Sequence, residues 1–142
     1  MSLTLESSRF GTLEIASEDV IEFPTGLVGL GGRRYTIVAP NATGPFRWLH
    51  SLDDPSLALP IANPWDFFTD YAVELSDPDA ARVGTDTAAI WVVVRAGNEL
   101  SDFSANLHAP IVIASARGHQ VINEIAHPVR VALFPELSAQ AA

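Results

Sequence analysis

Apolar residues recur at every second position along much of the chain, and turn residues separate these alternating runs. Leu13 and Ile15 alternate with polar neighbours, and Tyr35 and Ile37 do the same further on. A period of two is typical of strands with one buried face. The pattern predicts strands at residues 3–6, 10–15, 20–23, 33–39, 46–52, 57–62, 71–75, 88–95, 103–107, 109–114, 119–125 and 129–133.

No other stretch combines as much apolar area with as much negative charge as residues 46–71. Two apolar runs flank the turn Asp53-Asp54-Pro55, which predicts a β-hairpin. Pro60 lies within the second run and cannot donate a ladder hydrogen bond, so an edge or a bulge is expected there. An aromatic segment, WDFF at residues 65–68, follows a second turn at Asn63-Pro64.

The run AAIWVVVR at residues 88–95 is apolar at successive positions and rich in β-branched side chains, which predicts a central strand. We assign Trp48, Ile90 and Trp91 to core packing. Large side chains (Trp48, Ile61, Ile90, Val92, Val94, Ile111 and Ile113) are expected to point inward and to fill the interior.

One short helix is predicted near residues 77–83. Ser76 is the expected N-cap, Asp79 follows three residues later, and Gly84 is expected to end the helix. Pro78 is tolerated in the first turn, where the backbone N–H groups have no helical partner.

Ten prolines and nine glycines divide the chain into short elements. The glycine-rich loop at residues 24–29 lacks the lysine and the strand-to-helix context of a phosphate-binding loop, so its glycines are expected to serve turns with positive φ. The predicted fold class is all-β and mainly antiparallel: a compact, barrel-like single domain over residues 1–142, in which residues 136–142 form a flexible tail.

Composition agrees with a globular domain, because 48% of the residues are hydrophobic and 18% are charged. There is no cysteine, no apolar run long enough to span a membrane, and no basic, apolar N-terminal signal sequence. A cytoplasmic protein that does not bind membranes is therefore expected.

The charge is strongly acidic and unevenly placed. All eight basic residues are arginine, against seventeen acids, and the formal net charge is −9. Between Asp53 and Asp86 there are eight acids and one arginine, a net −7. This balance disfavours direct nucleic-acid binding and favours a basic partner, although a solubility surface explains the charge equally simply.

No catalytic, metal-binding or cofactor-binding group is predicted. Adjacent carboxylates such as Asp53 and Asp54 point apart in a strand or a turn, and an Asx turn before Pro55 explains both. The four histidines are spread among the predicted strands without ligand spacing, and half-exposed positions are expected for them. Asn106 fits backbone capping or partner contact equally well. The aromatic segment fits an interface anchor or a satellite core cluster.

Several motifs keep their order across residues 10–130, and together they resemble the FliW family of flagellar assembly factors. They are FPTGLVG at residues 23–29, FRWLHSLDDP at 46–55, YAVEL at 71–75, SANLHAPIVI at 104–113 and GHQVI at 118–122. The chain departs from the family pattern at Leu30, Pro60 and Asn63.

The resemblance implies a non-enzymatic regulator, monomeric when free, that binds two proteins. One is CsrA, an RNA-binding translational repressor, which family members antagonise; the other is flagellin, so that flagellin translation is coupled to flagellin export. The partner-binding residues implied are Asp53, Asp54, Asp66, Phe67, Phe68, Asp70, Tyr71 and Asn106. The alternative is a small β-barrel that binds a ligand or catalyses a reaction in its lumen, which would require polar convergent groups or empty volume inside.

Overall fold

A computed structural model describes residues 2–24, 26–27, 32–39, 45–84, 88–96, 98–114, 116–128 and 130–134. The predicted tail at 136–142 lies outside these residues, and so do Leu30, Val129 and part of the glycine-rich loop. Of that loop, Gly26 has a φ of 71°, as expected for a turn that needs a positive value.

The first two strands form a separate antiparallel hairpin. Strand β1 (Ser2–Ser7) pairs with β2 (Gly11–Ala16) in a register that joins Ser7 to Gly11 and Ser2 to Ala16. Leu5 and Ile15 are buried on one face while their strand neighbours are exposed, which is the alternation visible in the sequence. A 3-10 turn, Ser17–Asp19, leads into the remaining sheet.

The remaining strands form one continuous sheet, which closes because β7 pairs with both β6 and β9. The strands are β3 (Ile21–Glu22), β4 (Arg34–Val38), β5 (Phe46–Ser51), β6 (Ala58–Ala62), β7 (Ala89–Arg95), β8 (Ser104–Ala105), β9 (Ile111–Ala114), β10 (Arg117–Gln120) and β11 (Val131–Ala132).

The closed part is a seven-strand barrel, in the order β6, β5, β4, β3, β10, β9, β7. Strands β8 and β11 extend from the end of β7 outside the ring. The pairing of β3 with β10 is parallel, and the other described pairings are antiparallel. The predicted fold class is therefore confirmed.

The barrel interior is filled by apolar side chains from five of its strands and the loop after β3. They are Ile21, Phe23, Leu27, Tyr35, Leu49, Ile61 and Ile111, each at most 8% exposed. Ile61 and Ile111 were correctly predicted to point inward. Gly118 lies beside the Phe23 ring, so this interior also depends on a position without a side chain.

A second apolar cluster covers the opposite face of β7. Its buried members include Ala62, Val92, Val94 and Leu107, and its rim contains Phe46, Phe67, Phe68, Phe103 and Phe134. The inward assignment of Val92 and Val94 is therefore wrong, because the alternation of β7 turns them away from Trp91 and Val93. Both faces of β7 are packed, which confirms it as a central strand.

The outer face of β5 is covered by the first hairpin. Trp48 packs edge-on against Phe10 at 5.7 Å between ring centroids, and the Arg9 guanidinium lies 4.4 Å from the Trp48 ring centroid. Trp48 is only partly buried and takes part in this hairpin contact, so its assignment to the barrel interior is wrong.

Helix α1 (Asp77–Val83) begins and ends as predicted. The Ser76 hydroxyl accepts a hydrogen bond from the Asp79 backbone N–H, at 3.3 Å. Gly84 ends the helix in the left-handed conformation, with a φ of 76°, and its N–H donates to the Ala80 carbonyl.

Residues 71–75 are not a strand, which corrects the prediction. The side chain of Asn123 takes the place of a ladder: its Oδ1 accepts from the Glu74 N–H at 3.0 Å, and its Nδ2 donates to the Ala72 carbonyl at 2.9 Å. One backbone bond, from the Glu124 N–H to the Glu74 carbonyl, completes the contact. An alternating apolar pattern therefore fits two structures equally well: a strand, and an extended segment held by a buried amide.

Pro60 lies opposite Trp48 on β5, and the described pairing of β6 with β7 begins only at Ile61. Pro60, which has no N–H to donate, therefore lies where β6 is not paired with β7, as predicted. No helix among the described residues is long and apolar enough to cross a membrane.

Candidate functional site

Asp53, the first predicted partner-binding residue, is occupied by contacts within the chain. Its Oδ2 accepts hydrogen bonds from the backbone N–H groups of Arg33 and Arg34, at 2.8 and 3.0 Å. Its Oδ1 forms an ion pair with the Arg34 guanidinium at 3.0 Å. These donors, the two backbone N–H groups first, lower the pKa of the Asp53 carboxyl.

Gly32 allows this arrangement. It has a φ of 83°, and a Cβ on it would lie 3.2 Å from the Asp53 Cβ. A side chain at this position would be strained and would crowd the carboxylate. Asp53 therefore fixes the entry to β4 and presents only the remainder of its carboxylate to solvent.

Asp54 forms the predicted Asx turn. Its Oδ1 accepts from the Ser56 N–H at 3.0 Å and from the Ser56 hydroxyl at 2.7 Å. These bonds lower the pKa of the Asp54 carboxyl, the bond from the hydroxyl being the larger cause. Asp54 is exposed and keeps its charge accessible.

Asp66 and Asp70 lie at the other end of the β5–β6 hairpin. Asp53 and Asp54 follow the last residue of β5, whereas Asp66 and Asp70 lie beyond Ala62, which pairs with Phe46, the first residue of β5. At about 3.3 Å per residue, the length of β5 separates the two acidic pairs by roughly 20 Å. The predicted partner-binding residues therefore do not form one patch.

The segment after Asn63 presents an exposed tryptophan. Asn63 Oδ1 accepts from the Trp65 N–H at 3.0 Å and caps the 3-10 turn Pro64–Asp66. The Trp65 indole N–H donates to the Tyr71 carbonyl at 2.8 Å, which fixes the ring. Trp65 nevertheless remains 40% exposed. Asp66 and Asp70 are exposed in the same segment, and we call Trp65, Asp66 and Asp70 the acidic aromatic face.

Phe67 and Phe68 of the same segment pack into the second apolar cluster. Phe67 stacks on Phe46 at 5.8 Å between ring centroids, and it meets Phe134 edge-on at 5.7 Å. Phe68 lies 6.4 Å from Phe67, and both are only partly buried members of the second apolar cluster. The aromatic segment thus divides: Phe67 and Phe68 form the satellite core cluster, and Trp65 has the exposure of an interface anchor.

Tyr71 is 4% exposed, which leaves its side chain almost no surface for a partner. Its hydroxyl donates to the Leu107 carbonyl at 2.9 Å, and burial raises its pKa. Tyr71 therefore contributes to the acidic aromatic face through its backbone carbonyl, which fixes the Trp65 indole.

Asn106 serves the backbone of its own loop. Its Oδ1 accepts from the N–H groups of His108 and Ala109, at 3.0 and 3.1 Å. The side chain also lines a cleft with Val93, Arg95, Ser104 and Arg130. Arg95 and Arg130 were not among the predicted site residues. The signal that could have found them is their basic charge in so acidic a chain.

Two histidines are buried, so the prediction of half-exposed positions is wrong for them. His50 is fully buried between the Ser7 hydroxyl and the Ser51 carbonyl. His119 is 7% exposed, and burial, assisted by Arg82 and Arg117, lowers its pKa. The described residues contain no group of three His, Asp or Glu side chains able to hold a metal ion.

The described part of the barrel shows a packed core at the place where a lumenal site would lie. The cavity of about 350 Å³ at the barrel end near residues 18–21 is lined by Glu18, Asp19 and Thr36 together with apolar side chains, and no histidine is among its described lining residues. Its two carboxylates, Glu18 and Asp19, are not accompanied by the histidines that the enzymatic alternative required.

The sequence model of the FliW protein family matches residues 4–132. The chain belongs to the FliW family. It is 30% identical to the flagellar assembly factor FliW of Geobacillus kaustophilus, covering 97% of this chain and all of that protein (100%). It is 31% identical to that of Alkaliphilus metalliredigens, covering 88% and 83%.

A solved structure, described as the crystal structure of the flagellar assembly factor FliW, has the same fold. It superposes with a TM-score of 0.84 at 28% identity, over 94% of this chain and 98% of that one. The FliW fold therefore extends over nearly the whole of this chain.

Proposed function

We propose that this chain is a non-enzymatic flagellar assembly factor that acts in the cytoplasm by binding CsrA and flagellin. The names of its FliW relatives support the flagellar role. The observation that carries the binding proposal is the acidic aromatic face, where a fixed, exposed Trp65 lies in the same segment as the exposed Asp66 and Asp70.

Trp65 has the properties of an interface anchor. Its ring is held by the Tyr71 carbonyl and its backbone by Asn63, so little side-chain entropy remains to be lost on binding. Large aromatic side chains in such positions dominate the energetics of protein interfaces. The buried Tyr71 ring lies 5.8 Å from the Trp65 ring between centroids and supports it.

Asp66 and Asp70 supply the charge that selects the partner. A protein that binds RNA carries a basic surface, and carboxylates placed against or beside that surface attract the protein and repel its RNA. Antagonism of CsrA then requires no contact between this chain and nucleic acid. Its net charge of −9 acts in the same direction.

Flagellin is the second proposed partner. A protein that binds either flagellin or CsrA links the amount of unexported flagellin to the activity of the repressor. Flagellin that fills the cytoplasm occupies the assembly factor and leaves CsrA free to repress; export of flagellin releases the factor.

The test is a binding titration with purified CsrA and flagellin, followed by a gel shift of a CsrA–RNA complex at low salt. We expect a complex with each protein, and loss of the shifted RNA band as the chain is added. The variant Trp65→Ala is expected to weaken CsrA binding at least about tenfold, whereas Ile122→Ala, at another exposed apolar position, leaves it unchanged. An RNA complex that persists at saturating concentrations of the chain rules out antagonism.

A further inference from the structure

Two adjoining cavities form a polar cleft at the end of β7. One has a volume of about 380 Å³ and the other about 290 Å³, and Arg95, Ser104 and Arg130 line both. Asn106 and Val93 line the smaller one, and Asn98 and Asp102 the larger one. We call this feature the arginine cleft.

The pairing of three strands brings the two arginines to the cleft. Arg95 is the last residue of β7 and lies opposite Ser104 of β8. Strand β11 pairs with the other side of β8, with Ala132 opposite Ser104, and Arg130 directly precedes β11. The position of both guanidinium-bearing residues therefore follows from the backbone register.

Among the described residues, two other arginines are paired with carboxylates, whereas the two arginines of the cleft are not. Arg34 and Arg82 form ion pairs with Asp53 and Asp79. Within the described ranges, Arg95 and Arg130 form no ion pair, although Asp102 lines the larger cavity. Two like charges that share a cleft in a protein of net charge −9 create a local positive potential.

The chemistry of the lining favours a carboxylate ligand. A guanidinium offers parallel N–H donors that match the two oxygens of a carboxylate, and the hydroxyl and amide side chains beside it add further polar contacts. A nucleic acid carries a charge on every nucleotide and would bring many phosphates against the acidic remainder of the chain, whereas a short acidic segment brings only a few carboxylates to the two arginines.

We propose that the arginine cleft binds an acidic peptide segment of a protein, through Asp or Glu carboxylates held by Arg95 and Arg130. A peptide is favoured over a small free acid because the two cavities share Arg95, Ser104 and Arg130, and each is larger than one carboxylate. The apolar floor at Val93 contacts the stem of the acidic side chain. The cleft shares no residue with the acidic aromatic face and has the opposite charge.

The test uses the full chain, labelled with ¹⁵N, and a short peptide of alternating glutamate and alanine with blocked termini. We expect the backbone amide signals of Arg95, Ser104 and Asn106 to shift in a saturable manner. A matched peptide with glutamine in place of glutamate is expected to bind at least about tenfold more weakly, since it cannot form charge-assisted bonds.

Variants and competing ligands distinguish the cleft from general attraction to positive charge. Arg95→Gln and Arg130→Gln are each expected to weaken peptide binding about tenfold, while Arg117→Gln, an exposed arginine on β10, leaves it unchanged. Equal binding of the two peptides, or equal loss in all three variants, overturns the proposal. Tighter binding of glutarate, inorganic phosphate or an RNA oligonucleotide than of the acidic peptide overturns the assignment to a peptide. Binding of CsrA is measured in parallel. It depends on the acidic aromatic face, so a loss of CsrA binding would contradict the proposed function and not the arginine cleft.

Discussion

The Ser7 hydroxyl lies 2.7 Å from His50 Nε2, and this bond joins the first hairpin to the barrel. His50 Nδ1 lies 2.8 Å from the Ser51 carbonyl, which can only accept, so Nδ1 carries the proton and Nε2 accepts from Ser7. The Ser7 oxygen in turn accepts from the N–H groups of Arg9 and Phe10. One serine therefore shapes the β1–β2 turn and fixes it to β5.

Ser7→Ala is expected to lower the free energy of unfolding by about 1–3 kcal/mol, because it leaves the buried His50 Nε2 without a donor. Urea unfolding followed by tryptophan fluorescence measures the loss, and Trp48, beneath Arg9 and Phe10, reports on the hairpin itself. The control is Thr4→Ala on β1, which removes an exposed hydrogen bond to Glu14 and should cost less than about 0.5 kcal/mol. Equal effects of the two substitutions would show that the Ser7–His50 bond does not hold the hairpin.

Gly118 is expected to tolerate no side chain. A Cβ there would lie 2.4 Å from Cζ of Phe23, inside the barrel core. Gly118→Ala should therefore destabilise the protein by at least about 2 kcal/mol, as overpacked cores do.

The double variant Gly118→Ala with Phe23→Leu provides the control. If the clash with the ring is the cause, the double variant loses less stability than the two single losses added together. Additive losses, measured by thermal or urea unfolding, would contradict the proposed contact.

Asn123 is expected to hold residues 71–75 in place. Its Oδ1 accepts from the N–H groups of Glu74 and Ile125, and its Nδ2 donates to the Ala72 carbonyl. Asn123→Ala leaves several of these buried groups unpaired and should cost roughly 3 kcal/mol. Hydrogen exchange of the Glu74 amide should accelerate strongly, and Asn98→Ala, at an exposed position, should change neither quantity. An unchanged Glu74 exchange rate would mean that another contact fixes the segment.

Much of the fold follows from patterns that extend over a few residues. The helix at Asp77–Val83 was predicted with its caps because Ser76 and Gly84 are local signals. The hairpin around Asp53 was predicted because two apolar runs flank a turn. These features depend on neighbours in sequence, which a single chain displays.

The errors concern contacts between residues distant in the chain. An alternating pattern at residues 71–75 gives no sign that Asn123 supplies the hydrogen bonds of a missing ladder. Alternation also does not tell which face of β7 points into the barrel, since both faces are packed. The predicted hairpin, with its turn at Asp53, already implied that Asp53 and Asp66 lie at opposite ends, and the register of β5 and β6 shows it.

The structural role of Asp53 predicts a dependence of stability on pH. The native contacts lower its pKa below the value of 3.8 that a free side chain has. The stabilisation is therefore fully present above about pH 4, and it is lost as the pH falls through the lowered native pKa. Asp53→Asn should lower stability at pH 7 by about 1 kcal/mol, and less at pH 3.

The measurement is urea unfolding of both proteins between pH 2.5 and 7. Asp66→Asn is the control, because its carboxylate is exposed and forms no described contact with an arginine. A difference between native protein and Asp53→Asn that stays constant across this range would show that the charge of Asp53 does not stabilise the loop before β4.

The two ends of the β5–β6 hairpin make different predictions for CsrA. Asp66→Lys combined with Asp70→Lys reverses two charges beside Trp65, and it should weaken CsrA binding at least about tenfold with a smaller effect at high salt, because exposed charges are screened. Asp54→Lys, roughly 20 Å away at the other end, changes the same kind of charge without touching this face and should alter binding less than about threefold. Calorimetric titration at two salt concentrations measures all three proteins, and unfolding curves establish that each variant is folded. If Asp54→Lys abolishes binding while the double variant binds like the native chain, CsrA is bound at the turn of the hairpin and not at Trp65.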